Sequence, residues 1–281
     1  MATIREIRKR IRSVANIQKI TRTMEMVASA RMLKATATLF VSRPYAQLAW
    51  NLILNLASKL ESKMHPLLVS RPVKNRLIVL ITADRGLCGA FNIGLIHQAL
   101  KLVPENKKFI AVGKKGRDFL IHRGYEVIAE FTGLSVPVQF LQVLPIAQVV
   151  MQDYTKSVVD EVYVVYSNFV SKLVQKPAAL KLLPIQKSTE TPTLAQFTYE
   201  PSPELVLTNL IPRIIEYEIY AAILETQASE FAARMIAMKN ASDNAESLIS
   251  NLVLFYNKAR QESITKELTE LSTSRIVIEG N

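Results

Sequence analysis

The sequence predicts an α/β protein: a long antiparallel two-helix coiled coil formed by the N- and C-terminal helices, with an inserted Rossmann-like α/β domain. Three observations predict this fold class. Apolar residues recur at helical spacing through roughly the first sixty residues. Short β-branched runs then alternate with helical stretches, a pattern typical of a mostly parallel sheet. A long series of unbroken heptads follows in the C-terminal part and indicates a coiled coil.

The N-terminal segment predicts one long helix. Its apolar positions step by three and four, and the rhythm resumes after a three-residue skip. The two sets are Ile4, Ile7, Ile11 and Val14, then Ile17, Ile20, Met24 and Val27. Residues 1–60 contain no glycine, and Pro44 is their only helix breaker. We therefore expect a kink or a short break near Ser42–Arg43.

The middle of the chain predicts about five mostly parallel strands. A linker over 64–75 precedes them, and a surface loop over 186–206 follows them. The predicted strands are Leu77–Ile81, Phe109–Val112, Val127–Phe131, Val162–Tyr166 and Leu180–Ile185, with helices over 91–103, 114–123 and 145–159. This arrangement divides the chain into an N-terminal helix over 1–63, a central α/β domain over 64–206 and a C-terminal helix over 207–281.

The C-terminal helix has the most regular pattern in the chain. Its heptad positions are Leu210, Ile214, Tyr217, Ala221, Leu224, Ala228, Phe231, Met235 and Met238, then Ser242, Ala245, Ile249, Leu252, Tyr256 and Ala259. Two pairings are open: the two long helices of one chain pair with each other, or each dimerises with a second copy. We favour pairing within the chain, because the inserted domain brings the two helix bases together and limits the loop-closure cost.

Charge supports the internal pairing and raises a functional question. The net charge is +11. Residues 1–36 carry nine basic and two acidic residues, whereas residues 207–271 carry six basic and nine acidic ones. The basic N-terminal helix fits nucleic-acid binding, an anionic membrane surface, or a cationic rod surrounded by acidic protein loops, and charge does not separate the three. No apolar run is long enough to cross a membrane.

Motifs for catalysis are weak. The string ITADRGLCGAFN at 81–92 lacks the glycine spacing of a dinucleotide or phosphate loop, and its glycines suit a tight strand-to-helix turn. The three histidines are scattered, and the single Cys88 makes neither a disulfide nor a cysteine zinc site. We expect no catalytic residue, no cofactor and no metal.

Three strings resemble a known family. IQKITRTMEMVASARM at 17–32 resembles the N-terminal signature of the gamma subunit of F-type ATP synthases. The segments ASEFAARMIAMKNASDNAESLI at 228–249 and YNKARQESITKELTEL at 256–271 resemble its C-terminal signature. ITADRGLCGAFN is similar to the turn after the first strand of that family's central domain. The resemblance covers essentially the whole chain, in the family's order of segments.

The resemblance implies a non-catalytic rotor shaft of bacterial type. It implies partners: three alpha and three beta subunits that surround the shaft, the epsilon subunit and the c-ring, with no nucleic acid. The chemistry would lie on the beta subunits, and the shaft would couple c-ring rotation to ATP synthesis or hydrolysis. The implied location is peripheral, on the cytoplasmic face of the inner membrane.

The resemblance also implies contact residues. Arg234, Gln261 and Thr265 match family positions that meet the catch loops of beta, and Met24 matches a position that faces beta low on the shaft. Met24 is equally suited to the coiled-coil seam. The tail STSRIVIEGN at 272–281 departs from the small-residue ending common in the family.

Overall fold

The structure, a computed structural model, describes residues 4–59, 66–102, 107–185 and 203–279. Five α-helices and five strands occupy these ranges: α1 (Ile4–Lys59), β1 (Arg76–Ile81), α2 (Phe91–Lys101), β2 (Lys107–Val112), α3 (Lys114–His122), β3 (Glu126–Phe131), α4 (Leu144–Thr155), β4 (Glu161–Phe169), β5 (Gln175–Leu183) and α5 (Pro203–Glu279). The predicted fold class is confirmed. The chain separates into two compact units, one of 1–27 with 235–281 and the other of 28–234. These two units do not test the predicted domain boundaries, which stay a prediction.

The sheet has the strand order β3-β2-β1-β4-β5. Four strands run parallel, and β5 is antiparallel to β4 at the edge. The central strand β1 is buried from Leu77 to Ile81, because helices cover both faces of a parallel sheet and its strands then become apolar throughout. Ile78, Leu80, Leu95 and Phe109 form the centre of the core, each with no exposed surface.

Strand β5 begins earlier than its sequence predicts. It runs Gln175–Leu183, whereas the apolar run predicted Leu180–Ile185. Its first half contains Pro177, which lacks the N–H that a central strand needs. Because β5 is an edge strand, the proline is tolerated there, and the polar start QKP is part of the strand. The predicted loop over 186–206 lies mostly outside the described residues.

Helices α1 and α5 pair antiparallel within this chain. In the unit 28–234, Arg31 stacks on Phe231, with 5.8 Å from its guanidinium to the ring centre, and Tyr45 contacts Tyr217 with 4.5 Å between ring centres. Residue numbers therefore rise along α1 as they fall along α5. In the other unit, Arg8 donates a hydrogen bond of 3.1 Å to the Tyr256 hydroxyl. Every predicted heptad position of α5 is buried or half-buried.

The seam of α1 differs from its prediction. Ile17, Ile20 and Val27 are 51%, 59% and 48% exposed, so the predicted three-residue skip is wrong. The buried and half-buried positions instead follow an unbroken heptad rhythm: Ile4, Ile7, Ile11, Val14, Gln18, Thr21, Glu25, Ala28, Met32, Ala35, Leu39 and Ser42. Unbroken 3–4 spacing keeps one face of a helix against its partner, and this geometry places polar Gln18 and Thr21 on the seam.

Helix α1 also continues through Pro44, so no break occurs near Ser42–Arg43. Proline removes one helical hydrogen bond, but contacts with α5 hold the chain on both sides. The Tyr217 hydroxyl donates to the Ser42 carbonyl at 3.3 Å, and the Arg43 guanidinium pairs with Glu225 at 2.9 Å. Packing on α5 thus preserves the helix where its own hydrogen bonding is interrupted.

Gly116 in α3 is required by a close approach to β1. Its N–H donates to the Thr82 hydroxyl at 2.8 Å, and an added Cβ would lie 2.7 Å from that oxygen. Thr82 is buried and also bonds the Val112 carbonyl, so it has no room to withdraw. Gly86 is different, since the nearest atom to its added Cβ is the flexible end of Lys115 at 3.8 Å.

Gly116→Ala should therefore destabilise the protein. The overpacking cost of about 1–3 kcal/mol exceeds the roughly 1 kcal/mol that alanine contributes to helix propensity. Thermal unfolding of the purified chain measures the difference. Gly86→Ala is the matched control and should change stability by less than about 0.5 kcal/mol. Equal melting temperatures for both variants would contradict the close approach.

Glu218 is a partly buried carboxyl group on α5. Burial, with a smaller contribution from the negative charge of Glu225, raises the pKa of Glu218 to about 7. Burial raises the pKa of Tyr166 on β4 and the pKa of Tyr217 on α5, and the nearby charge of Glu218 makes a smaller contribution to both. Because the folded state holds the proton more tightly than the unfolded chain does, ionisation of Glu218 opposes folding as pH rises through about 4.5 to 7.

Glu218→Gln should stabilise the chain at pH 8 by about 1–3 kcal/mol and have little effect at pH 4.5. Glutamine keeps the shape of the side chain and never ionises. Melting temperatures of wild type and variant from pH 4.5 to pH 8 measure the effect. Glu262→Gln, at an exposed position of α5, is the control and should show no such trend. A stability difference that does not depend on pH would contradict the buried charge.

Candidate partner-contact site

Gln261 and Thr265 lie one turn apart on α5, and both are exposed. The Thr265 hydroxyl donates to the Gln261 carbonyl at 2.9 Å. Within the described residues, the Gln261 side-chain amide has no hydrogen-bond partner, so its donors and acceptor are available to another protein. A shallow surface lies beside the two residues, and its other lining residues are Lys258, Glu262, Lys266 and Thr269. The structure therefore brings these two predicted contact residues together.

Met24 is half-buried on α1, in the same compact unit as Gln261. It lies between the seam positions Thr21 and Ala28, beside rather than within the buried stripe. A flexible thioether at such a position packs partly on its own helix pair and leaves apolar surface for a second contact. Its placement thus suits both roles that the sequence left open.

Arg234 is in a different setting. Its side chain is 8% exposed and pairs with Glu230 at 2.7 Å. It also donates to the carbonyls of Arg85 and Gly86 at 3.0 and 3.2 Å, in the turn that follows β1. Burial raises the pKa of Glu230, and the Arg234 charge opposes that rise. The guanidinium is therefore fully engaged inside the unit 28–234, where it attaches α5 to the sheet domain.

The start of α3, which follows β2 and lies against the residues after β1, does not leave a phosphate cradle open. A phosphate loop requires free N–H groups at the start of the following helix. At the start of α3, the N–H groups of Lys114, Lys115 and Gly116 already bond Asp84, Ala83 and Thr82. A cavity of about 240 Å³ lies at this edge of the sheet, below the roughly 300–1,000 Å³ of typical ligand pockets. Helix α5 lines it from Ile223 to Arg234.

The described residues contain no cluster of histidine, cysteine or acidic side chains able to hold a metal ion. None of the described helices combines the length and the apolar content that a membrane crossing requires. Cys88 is buried and accepts a hydrogen bond from Asn92 at 3.3 Å, and burial raises the pKa of its thiol. A buried thiol with a raised pKa is a poor nucleophile.

Sequence reasoning missed a group of polar residues on α5. Thr226, Gln227 and Ser229 are 1%, 8% and 0% exposed, and all three bond to the sheet domain. The available signal was their position, because the polar run ETQASE at 225–230 interrupts the apolar residues that end at Leu224 and resume at Phe231. Polar side chains that are buried need hydrogen-bond partners, so this interruption marks a contact with another backbone.

Comparison with known proteins identifies the family. A family model described as ATP synthase matches residues 3–275. Curated proteins named ATP synthase gamma chain include one from Desulfitobacterium hafniense, 42% identical over 274 residues, which covers 96% of this chain and 97% of the relative. One from Dehalococcoides mccartyi is 43% identical over 277 residues, with the same coverage.

Solved structures agree with these relatives. The central stalk and c-ring structure of the Tetrahymena thermophila mitochondrial ATP synthase contains a chain similar to this one, with TM-score 0.62 and 26% identity. The match covers 79% of this chain and 99% of that one. A chain of the Euglena gracilis mitochondrial enzyme has TM-score 0.72 at 19% identity, covers 99% and 95%, and supports the fold. The chain belongs to the ATP synthase gamma-chain family.

Proposed function

We propose that this chain is the rotating central shaft of a bacterial ATP synthase. In this function it couples c-ring rotation to ATP synthesis or hydrolysis on the beta subunits and supplies no catalytic group itself. The observation that carries the proposal is the antiparallel pair of α1 and α5, 56 and 77 residues long, in a chain of this family. Neither helix contains a glycine, which suits a shaft that must resist twisting.

The proposed mechanism is differential binding. An asymmetric helix pair presents different side chains to three identical beta subunits, and each orientation stabilises a different conformation of each subunit. Coupling is then a free energy that depends on orientation, and it needs no reacting group on the shaft. Exposed polar residues such as Gln261 and Thr265 suit contacts that form and break in every turn.

The proposed partners are three alpha and three beta subunits around the helix pair, with the epsilon subunit and the c-ring at the sheet domain. The Tetrahymena relative, solved as central stalk and c-ring, supports the c-ring contact by analogy. The curated relatives are bacterial, which supports a peripheral position on the cytoplasmic face of the inner membrane. The nucleic-acid and membrane-surface alternative gains no support from these relatives.

Contact with the beta catch loops is proposed for Met24, Gln261, Thr265 and Arg234. For the first three, at least part of the side chain is accessible. For Arg234, a beta loop has to compete with Glu230 and with the carbonyls of Arg85 and Gly86. This contact therefore requires an acidic loop that offers the guanidinium a comparable set of acceptors.

Co-expression with the alpha and beta subunits of the same organism tests the function. We expect native mass spectrometry to show one copy of this chain with three alpha and three beta subunits, in a complex that hydrolyses ATP. The control is the alpha and beta subunits expressed without this chain. Recovery of the chain alone, as a homodimer or bound to DNA would overturn the proposal.

The double variant Gln261→Ala with Thr265→Ala should lower ATP hydrolysis of the assembled complex by about 5–30-fold, the effect of losing contacts worth roughly 1–2 kcal/mol. Both side chains are exposed, so the melting temperature of the free chain should stay within about 2 °C of wild type. Ser250→Ala removes another exposed α5 hydroxyl, whose bond is to Glu246 of its own helix, and should leave hydrolysis unchanged. Equal rates for the double variant and Ser250→Ala would contradict the proposed contact.

A further inference from the structure

One stretch of α5 bonds to three separate segments of the sheet domain. We define the α5 latch as Glu225, Thr226, Gln227, Ser229 and Arg234, all within the compact unit 28–234. Its hydrogen-bond partners lie in the turn after β1, in the loop after β3 and at the end of β4. Ordinary coiled-coil seams are apolar, and buried polar groups cost free energy unless they are bonded. The hydrogen bonds that these residues make with the sheet domain therefore explain why polar side chains are buried here.

The latch completes the free edge of β4. Strand β1 pairs with β4 only as far as Val165, so the last residues of β4 lack a neighbour on that side. The Ser167 N–H donates to the Thr226 hydroxyl at 3.2 Å, and the Ser229 hydroxyl donates to the Ser167 carbonyl at 3.2 Å. Pro177, which has no N–H, lies opposite Ser167 on β5. Side chains of α5 thus take the place of a neighbouring strand.

A second contact lies one step further along β4 and includes α1. The Phe169 N–H donates to one Glu225 carboxylate oxygen at 3.1 Å. Arg43 of α1 donates to the other Glu225 oxygen at 2.9 Å and to the Phe169 carbonyl at 3.0 Å. Both long helices and the end of β4 therefore meet in one charged hydrogen-bond cluster, and charge-assisted bonds of this kind are the stronger ones.

The other contacts reach the loops at the carboxyl edge of the sheet. The Gln227 amide donates to the Ser135 carbonyl at 2.8 Å and accepts from the Val138 N–H at 3.0 Å. Arg234 bonds the carbonyls of the turn after β1, as described above. The attachments extend from Glu225 to Arg234, about 15 Å along the helix.

We propose that the α5 latch is the torque-bearing joint between the sheet domain and the helix pair, and that Thr226, Gln227 and Ser229 act as positioning residues for rotary coupling. The inference rests on the proposed rotor function. Apolar contacts are non-directional and allow a helix to slide or roll. Hydrogen bonds lose energy when distance and angle change, so several of them at different points along one helix resist rotation about its axis.

The test uses the complete ATP synthase, with beta immobilised and a bead on the sheet domain. Angular fluctuations of the bead during the wait for ATP report the torsional stiffness of the rotor. The triple variant Thr226→Val, Gln227→Leu, Ser229→Ala should at least double the variance of the bead angle. Arg234 is left intact, because it is also a proposed beta contact.

Ser167→Ala is the matched control at the same interface. The Ser167 hydroxyl is buried and has no hydrogen-bond partner among the described residues, whereas its backbone makes the latch contacts. This variant, like the conservative Thr226→Ser, should keep the wild-type variance. If the triple variant does not assemble, Gln227→Leu alone is measured, since it leaves the β4 contacts in place.

The proposal would be overturned if the triple variant kept the wild-type variance of the bead angle. If only Gln227→Leu assembles, the same result for that variant would overturn it. So would an equal increase in Ser167→Ala, because loss of packing would then explain the effect. Failure of the rotor function itself is distinguishable: the wild-type chain would not enter a complex with alpha and beta, and no rotation would be observed.

Discussion

A helix satisfies its own backbone hydrogen bonds, so it joins a sheet only through its side chains. This constraint governs the junction between α5 and the central domain. Strand β4 extends past its parallel neighbour, and the outward N–H and carbonyl groups at its end need partners. Only polar side chains supply them, which is why Thr226 and Ser229 occur here, within the polar run ETQASE at 225–230. This polar run, which leaves the heptad positions Leu224, Ala228 and Phe231 in place, is thus a consequence of the sheet that packs there.

The same junction explains how α1 tolerates a proline. Pro44 would end or kink an isolated helix. Here Arg43 is bonded to Glu225 and to the Phe169 carbonyl, and Tyr45 contacts Tyr217 edge to face. The two residues beside the proline are therefore fixed by α5 and β4. Tertiary contacts decide the conformation at this point, and local sequence preference does not.

Sequence reasoning succeeded where one physical signal dominates. Strands β1 and β2 are buried on both faces, so their apolar runs mark them clearly. Sequence reasoning failed where the apolar residues are not the ones that the helix turns toward its partner. Ile17 and Ile20 looked like seam residues because they are apolar, yet unbroken heptad spacing assigns the seam to Gln18 and Thr21. The position of each residue around the helix axis decided whether it is buried, and the polarity of its side chain did not.

The contact residues show the same limit. Gln261 and Thr265 are exposed side by side, as a resemblance-based prediction requires. Arg234 was identified from the same resemblance, and nothing in the sequence showed that its guanidinium would bond the carbonyls of Arg85 and Gly86. Those partners lie almost 150 residues earlier in the chain, and only the folded arrangement of sheet and helix brings them together.

The off-seam apolar residues of α1 carry the last step of the argument. Ile17, Ile20 and Val27 are 51%, 59% and 48% exposed and lie on one side of α1, and the basic residues Lys19 and Arg22 lie among them in the sequence. Apolar side chains grouped on the exposed side of a paired helix are typical of a surface that another protein covers. Neighbouring positive charges favour acidic partner loops and keep the free chain soluble. The proposed rotor shaft requires both properties at once, since its outer face is covered by other subunits in the complex and contacts water before assembly.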